Sequence, residues 1–560
     1  MTRGTDEPAS RTVDAVFENG WIHTGLGDGP RAGGIAVGGG RILSCDAEEV
    51  ARLAPRAAQR IDLDGRLLIP GFQDAHAHPV IAGTELLGCD LSDCPDAEAV
   101  LAAIRRYAEA HPERSWIIGA GWSMDAFPGG TPTRDLLDAV VPDRPVLLEN
   151  RDHHSAWANR RAFLAAGIDE TTPDPRDGRF EREPDGTPAG TVHDGAMFLF
   201  DAVRAMPTEE DAYVGLLEAQ RRMLAFGVTA WQDAAVGSLM GRPDTLPVYL
   251  RALERGALLA RVRGAQWWDR TSGVAQLAGL IERRDAVAAL HPAERFSLGT
   301  VKIMVDGVAE SRTAAMHGHY RDHAGARTDS TGIAFFPPAQ LAEFVAAIDA
   351  SGMQVHFHAL GDRAVTDALD ALEHAARING DRGLRHHLAH LETVAQPDLA
   401  RFAELGATAN LQPLWAAHDP QLDELVIPFL PDGVEQTLYP FAALAGAGAP
   451  LAAGSDWPVS SPDPIQAIHV AVNRRRPGSA SAALGEAQAL TVGQAVNAYT
   501  SGTARVNHLD HVTGRLRAGR LADLAVLDRN LFAINPEELH TAVVDETWID
   551  GRRVYSRQRG

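Results

Sequence analysis

Cysteine is scarce in this sequence. The 560 residues include three cysteines, Cys45, Cys89 and Cys94. Three thiols are too few for a disulfide framework, and their spacing does not match that of a cysteine-rich zinc site. The cysteine content therefore indicates a reducing compartment and excludes the small disulfide-stapled folds of secreted domains.

Long hydrophobic runs and blocks of positive charge are also absent. No run of about 18 apolar residues occurs, and the segment MTRGTDEPASRTVDAVF lacks the apolar stretch of a secretory signal. We therefore expect a cytoplasmic protein with no membrane partner. The formal net charge is −22, and no basic run has the length that a nucleic-acid surface needs. We expect no nucleic-acid partner either.

The sequence does contain enough apolar residues for a large buried core. Hydrophobic residues make up 45% and charged residues 22% of a chain that can accommodate a large barrel and an accessory unit. Residues 12–70 and the C-terminal segment both resemble short strands separated by Gly- and Asp-containing turns. Because chain termini often lie close together, we predict that residues 1–68 and 506–560 complete one small β-domain.

Between these ends, short apolar runs alternate with Ala- and Leu-rich helical stretches. The alternation predicts an α/β fold, a (β/α)8 TIM barrel over residues 69–505, with a long insertion after the first strand at about residues 85–205. A doubly wound sheet is the alternative, but no G-x-G-x-x-G motif follows the first strand. The eight predicted strands are residues 68–76, 226–234, 260–269, 298–306, 352–360, 386–392, 406–414 and 450–457.

The sequence has 22 histidines, several of them at the ends of predicted barrel strands. In the segment GFQDAHAHP, His76 and His78 are two residues apart, so both side chains point to the same face of a strand. Active-site groups of such barrels lie at the C-terminal strand ends, where they share one mouth. The other candidates are Lys302 on strand four, His356 and His358 on strand five, His386, His387 and His390 on strand six, and Asp456 on strand eight.

Each of these residues also has a structural explanation. Lys302 could pair with a buried carboxylate such as Asp306, and Asp456 could cap the helix after strand eight. The histidines of strands five and six could be hydrogen-bonded core residues. Polar residues at the ends of five strands are better explained by one metal site than by five coincidences.

The order of H-x-H, Lys, His, His and Asp on strands one, four, five, six and eight resembles the amidohydrolase superfamily. The segments VKIMVDGVAESRTA, VHFHALGDRAV, GSDWPV and GRLRAGRLADLAVLD resemble the branch that includes N-substituted formamide deformylase and the YtcJ-like metal-dependent hydrolases. The insertion segment DRPVLLENRDHHSAWANRRAF resembles that branch too. The resemblance spans almost the whole chain and implies a (β/α)8 barrel with a small β-sandwich built from both termini.

The resemblance also implies a metal site with up to two ions. The first ion would be bound by His76, His78 and Asp456 and the second by His358 and His390, with carboxylated Lys302 as the bridge between them. His358 is assigned because it directly precedes ALGDRA, and His390 because it lies in LAHLE. The remaining histidines of strands five and six, His356, His386 and His387, have no ligand counterpart.

These residue types suit the chemistry of divalent cations. A lysine ammonium cannot bind a cation, whereas neutral lysine can take up carbon dioxide to give a carbamate, and burial favours the neutral amine. Imidazoles and carboxylates suit zinc, although their type also permits iron, manganese or nickel. We predict that a metal-activated hydroxide attacks the carbonyl carbon of a C–N bond while Asp456 moves the proton to the leaving amine.

The predicted substrate is a small-molecule amide, with an N-formyl or N-acyl group on an apolar or aromatic amine. Trp122, His154 and Trp157 of the insertion are candidate substrate contacts, and packing inside the insertion is the alternative. Three other functions stay open: a mononuclear deaminase, a cyclic amide or carbamate hydrolase, and a non-catalytic scaffold of the same fold. A homodimer is also left open.

Overall fold

Eight parallel strands form a nearly closed barrel in the computed structural model, which describes residues 12–27, 29–238 and 242–558. Neighbouring strands follow one another in chain order, and every pair is parallel. All eight overlap the segments predicted from sequence, so the predicted barrel is confirmed. The strands are Phe72–Ala77, Val228–Val236, Arg261–Trp267, Phe296–Met304, Gln354–Ala359, His387–His390, Thr408–Leu411 and Leu451–Ala453.

The first and eighth barrel strands meet at their C-terminal ends. The backbone N–H of Asp456 donates to the His76 carbonyl at 2.7 Å, and the N–H of His78 donates to the Trp457 carbonyl at 2.8 Å. These two bonds hold the residues that follow the last strand beside the histidines of the first. The candidate ligands at the two ends of the barrel sequence are therefore neighbours at one mouth.

Helices follow most barrel strands and cover the outside of the barrel. In Asp362–Asn379, Val365, Ala368 and Leu372 are buried, and their spacing of three to four residues forms one apolar stripe that packs on the sheet. The α-helices are Ala47–Leu53, Pro79–Glu85, Ala97–Ala110, Arg134–Val140, Arg160–Ala166, Glu209–Ala225, Leu246–Glu254, Leu277–Leu290, Pro338–Ala350, Asp362–Asn379, Leu399–Glu404, Phe441–Gly446, Pro464–Asn473, Val492–Asn497 and Thr503–Val506.

Both ends of the described chain contribute to a second, mixed sheet of eight strands. The rings of Phe17 and Trp548 meet edge to face at 5.2 Å within its core. The structure shows one hydrogen-bonded sheet here, and its division into a two-sheet sandwich stays a prediction. Its strands are Val13–Ile22, Arg31–Gly38, Arg41–Ser44, Ala57–Asp62, Leu67–Pro70, Leu524–Leu527, Val544–Ile549 and Arg552–Ser556.

A third sheet is formed by the chain segment that connects the first barrel strand to the second. It has six strands and its own apolar core, and we call this part of the chain the cap. The cap contributes His154 and Asp194 to the wall of a cavity at the barrel mouth. Its strands are Cys89–Asp90, Ile117–Trp122, Val146–Asn150, Ser155–Ala158, Gly178–Arg182 and Pro188–Asp194.

None of the helices in the described ranges has the length and hydropathy needed to cross a bilayer.

Candidate metal centre

Three of the predicted ligands meet around one carboxylate oxygen. The Nε2 atoms of His76 and His78 lie 3.2 and 3.1 Å from Oδ1 of Asp456. Two ligands of a tetrahedral zinc ion, each about 2.0–2.1 Å from the metal, are separated by about 3.3 Å. Each of the two nitrogens therefore lies at donor spacing from Oδ1 of Asp456, and the group whose ligand atoms all lie within 4.8 Å of one another consists of His76, His390 and Asp456.

Lys302 lies beside the same group of atoms. Its Nζ is 3.3 Å from Nε2 of His76, and the residue is 2% exposed. Burial lowers the pKa of Lys302 to about 7, so a substantial fraction of the amine is neutral at neutral pH. Asp306, the alternative partner, instead accepts backbone N–H groups from Ala315 and Gly361, both at 2.9 Å.

His358 and His390 complete the set of predicted ligands. Their rings are 4.5 Å apart, and Nδ1 of His390 lies 3.8 Å from Oδ2 of Asp456. Nε2 of His358 faces the Gly307 carbonyl oxygen at 3.3 Å. Burial holds the pKa of both histidines well below the ordinary value, so both imidazoles are neutral and able to act as ligands.

Several donor atoms of this group lack a hydrogen bond within the described part of the chain. Both ring nitrogens of His390 and Nδ1 of His78 are buried without one. Leaving buried polar atoms unsatisfied costs free energy, and a cation bound between them would remove that cost. The residues present thus fit a divalent metal ion.

The backbone is strained at two of these ligands. His390 and Asp456 have φ values of 82° and 55°, in the left-handed region that non-glycine residues seldom adopt. The N–H of His390 donates to Oε1 of Gln412 at 2.6 Å, which helps to hold this conformation. Such strain concentrates at functional sites, where the surrounding structure over-determines the geometry.

The histidines without a predicted ligand role occupy different places. His356 Nε2 lies 2.9 Å from Nδ1 of His76, behind that ring, and the ring of His387 packs on His356 at 4.0 Å. His386 lies elsewhere: its Nδ1 accepts from the Val355 N–H and its Nε2 bonds Asp349. His356 is therefore placed to orient His76.

The cap places one imidazole over the candidate ligands. His154 stacks on His358 with ring centroids 5.5 Å apart, and its Nδ1 bonds Oδ1 of Asp194 at 2.7 Å. His154 was predicted as a substrate contact from the sequence, whereas Asp194, which lies 40 residues further along the chain, was not. The cavity that both residues line has a volume of about 110 Å³.

The two tryptophans predicted as substrate contacts are not at this cavity. Trp122 and Trp157 are fully buried in the core of the cap, where each packs against Phe127. Their indole N–H groups donate to the carbonyls of Leu148 and Thr133. The structure thus corrects that prediction: the packing alternative describes both residues, because an apolar ring with a satisfied N–H is stable inside a core.

The apolar wall of the cavity was not predicted from the sequence. Met304 follows Lys302 by two residues on the same strand face, so strand periodicity could have identified it. Trp267 ends the third barrel strand and could have been found by the same strand-end argument. Phe198 and Phe335 carry no such local signal. All four line the cavity with the candidate ligands.

Asp456 does not cap the helix after the eighth strand. Asp463 does so, by accepting a hydrogen bond from the Ile465 N–H at 2.9 Å. The carboxylate of Asp456 is therefore left among the histidines.

Comparison with known families agrees with this geometry. The Amidohydrolase family matches residues 59–555, so the chain belongs to this family. It is 29% identical to the putative amidohydrolase YtcJ of Bacillus subtilis, over 97% of this chain and 100% of that protein. It is 28% identical to N-substituted formamide deformylase of Arthrobacter pascens, over 93% and 95% of the two chains. The resemblance stated from the sequence motifs is confirmed.

Other relatives have different names. The chain is 29% identical to protein LONG AFTER FAR-RED 3 of Arabidopsis thaliana, over 98% of this chain and 92% of that protein. Among solved structures, an uncharacterized metal-dependent hydrolase from Pyrococcus horikoshii covers 93% of this chain and 99% of its own, with a TM-score of 0.70 and 24% identity. That structural likeness shows the shared fold.

Proposed function

We propose that this chain is a metal-dependent hydrolase that cleaves the C–N bond of a small-molecule amide, with an N-formyl or N-acyl group. The observation that carries the proposal is the group of buried, partly unsatisfied donor atoms at the barrel mouth. The name of the formamide deformylase among its relatives supports the choice of a C–N bond. The cavity of about 110 Å³ beside the candidate ligands suits a small acyl group.

The ligand roles follow from position and donor chemistry. The first ion would be held by His76, His78 and Asp456, the second by His358 and His390, and carboxylated Lys302 would bridge them. Carboxylation joins the neutral Lys302 amine to carbon dioxide with release of one proton, and the lowered pKa of Lys302 supports that step. We propose zinc, because imidazole and carboxylate donors suit it.

The protein's own residues would carry the proton. A divalent cation supplies a lowered pKa for bound water and polarises a carbonyl group. Asp456 would accept a proton at its carboxylate and deliver it to the leaving nitrogen as general base and then general acid. His154, held by Asp194, would contact the substrate from the cap. The cap covers one side of the cavity, so it would also exclude solvent from the reacting bond.

We further propose that residues 69–505 form the catalytic domain with the cap as an insertion of about residues 85–205, and that residues 1–68 and 506–560 form the small β-domain. The boundary near residue 69 is supported by the course of the chain, since Leu67–Pro70 pairs within the terminal sheet and Phe72–Ala77 within the barrel.

Metal analysis combined with a hydrolysis screen tests this function. Wild-type protein purified with zinc and bicarbonate should contain up to two ions per chain and hydrolyse members of a panel of N-formyl, N-acyl and cyclic amides. H76A and H78A should lose metal and turnover. H111A is the matched control, because His111 lies at the end of the cap helix Ala97–Ala110, away from the cavity.

The outcomes separate the proposed function from the deaminase and the scaffold that the sequence left open. Active protein without metal would overturn the proposal. One tightly held ion with deamination of a ring substrate would indicate the mononuclear deaminase. Absence of metal together with absence of any turnover would indicate a scaffold.

A further inference from the structure

A second cavity adjoins the one at the candidate metal centre. It has a volume of about 400 Å³ and shares Asp152, Pro458 and Val459 with the smaller cavity of about 110 Å³. We call it the outer chamber and define it by Asp152, Glu310, Glu392, Trp415 and Tyr439. A molecule with its reacting bond at the metal ligands would place its larger part in the outer chamber.

The carboxylates of the outer chamber have neutral partners. Glu392 is 2% exposed and accepts a hydrogen bond from the Tyr439 hydroxyl at 3.3 Å. Oε1 of Glu310 accepts from the side-chain amide of Gln421 at 2.9 Å. Asp152 accepts the backbone N–H of His154 at 2.8 Å. Within the described part of the chain, none of the three carboxylates has a cationic side chain within 4.0 Å.

Arginines in the chamber lining do not balance this charge. Arg476 forms an ion pair with Asp419. Arg222 forms one with Glu218 on its own helix, at 3.2 Å. Arg151 is the remaining arginine of the lining and forms no ion pair with any described side chain. One such arginine faces Asp93, Asp152, Glu310 and Glu392, none of which has an ion pair with a described side chain. Burial raises the pKa of Glu310 to about 7 and that of Glu392 well above its ordinary value, so both carboxyls are partly protonated without a cationic partner, and a bound cation would favour their ionised form.

Aromatic rings complete the wall. The ring of Trp415 stacks parallel on His390, with centroids 5.1 Å apart, so it links the metal-ligand group to the chamber. Trp415 is half-buried, and Tyr439 lies opposite the carboxylate of Glu392. Aromatic faces and unpaired carboxylates in one desolvated space attract cations and repel anions.

We propose that the outer chamber binds an alkylammonium group carried by the amine side of the substrate. This proposal deepens the proposed function and relies on it for the position of the reacting bond. It specifies a substrate with a small acyl group in the inner cavity and a positively charged group in the outer chamber. Glu310 and Glu392 would then determine specificity.

Binding of two matched probes tests the charge preference without any turnover. Choline and its uncharged isostere, in which carbon replaces the quaternary nitrogen, have nearly the same shape. Isothermal titration of the wild-type protein should show choline binding about 10-fold more tightly. E310Q and E392Q should each reduce that ratio, while E343Q, at an exposed helix position, should keep it. Equal affinity of the two probes for the wild-type protein would overturn the proposal.

Turnover of the corresponding amides separates this proposal from the proposed function. The probes are two N-formyl amines, one ending in a trimethylammonium group and one in a tert-butyl group. The charged formamide should have a kcat/KM about 10-fold higher. Preferential choline binding without hydrolysis of any amide would refute the C–N hydrolase and leave the chamber assignment supported. Hydrolysis of both formamides at equal rates, with equal probe binding, would refute the chamber assignment alone.

Discussion

Two groups of metal-competent side chains lie close together at the barrel mouth, and they differ in how their charges are balanced. The mouth cluster consists of His76, His390 and Asp456, and the bridging cluster of Glu85, Glu149 and His153. In each cluster the three potential ligand atoms lie within 4.8 Å of one another. Residue type and proximity therefore do not distinguish them.

The negative charge of the bridging cluster is neutralised by two neighbouring arginines. Arg242 Nη2 lies 3.2 Å from Glu85 and 2.9 Å from Glu149, and Arg204 lies 2.8 Å from Glu149. His153 bonds Glu149 at 3.0 Å. These contacts join the cap to the barrel, because Glu149 and His153 belong to the cap and Arg242 follows the second barrel strand.

The mouth cluster has unsatisfied donor atoms instead. Burial, and next the charge of Lys302, lower the pKa of His76 to about 3, so its imidazole is neutral. Both ring nitrogens of His390 are buried without a hydrogen bond in the described structure. The comparison teaches that unsatisfied neutral donors indicate a metal site, whereas carboxylates already paired with arginine indicate a structural joint.

The largest expected difference between the clusters concerns kcat. D456N keeps the shape of the side chain and one ligand oxygen but removes the base, so kcat should fall by about 10²–10⁴-fold. E149Q should change kcat by less than about 10-fold, because the Glu149 carboxylate forms ion pairs that join the cap to the barrel. Steady-state kinetics on the best amide substrate measures both. An equal loss in E149Q would show that the bridging cluster takes part in the reaction.

A second prediction concerns stability and affects the bridging cluster only. R242A leaves Glu85 and Glu149 buried with less compensation, so the free energy of unfolding should fall by about 3–5 kcal/mol. Denaturant unfolding measures this change, and metal content should stay that of the wild type. The control is R221A, whose partner Glu218 is on an exposed helix face and whose loss should cost about 0–1 kcal/mol. Loss of metal from R242A would indicate that the cation is bound at the bridging cluster and not at the mouth cluster.

A third prediction concerns the residue behind the mouth cluster. His356 orients His76 through a 2.9 Å contact, so H356A should weaken metal affinity by about 10–100-fold without abolishing it. Competition with a chelator measures that affinity. H386A is the control, because His386 bonds Asp349 and the Val355 N–H and has no contact with His76. If H356A loses metal as completely as H76A while H358A retains it, the two strand-five histidines exchange roles.

The smallest expected effect is a pH dependence of the bridging cluster. Burial lowers the pKa of His153, but Glu85 and Glu149 outweigh it and raise this pKa from 6.5 to about 9. A raised pKa stabilises the fold below about pH 6.5, and this stabilisation is lost as the pH rises through about 9. We expect a loss on the order of 2 kcal/mol.

H153Q separates this contribution from other titrations. The difference in unfolding free energy between wild type and H153Q should be largest near pH 6 and shrink toward pH 10. A difference that stays constant over this range would contradict the assigned direction of the pKa shift.

Much of the barrel could be predicted because its evidence is local. Apolar runs alternating with helical stretches mark each strand, and the two-residue spacing of His76 and His78 sets their common face. The known order of strands in such a barrel then places strand ends at one mouth. The strand order therefore predicts that Lys302, His390 and Asp456 lie at the same site.

The candidate substrate contacts could not be settled this way. Trp122 and His154 both lie in the cap with no periodic signal to separate a core position from a cavity wall. Only the folded chain shows that Trp122 donates its indole N–H inside the cap, whereas His154 meets Asp194 and stacks on His358.

The sequence by itself determined the eight strands, the family and the residue types at the barrel mouth, because hydrophobic period and motif spacing are properties of neighbouring residues. The tertiary structure alone decided which charges are balanced. Arg242 meets Glu85 across 157 residues of chain and Glu149 across 93, while the donors of His390 are left without partners. Such pairings arise when remote segments pack, and the free energy of burying a charge depends on the neighbours that packing supplies.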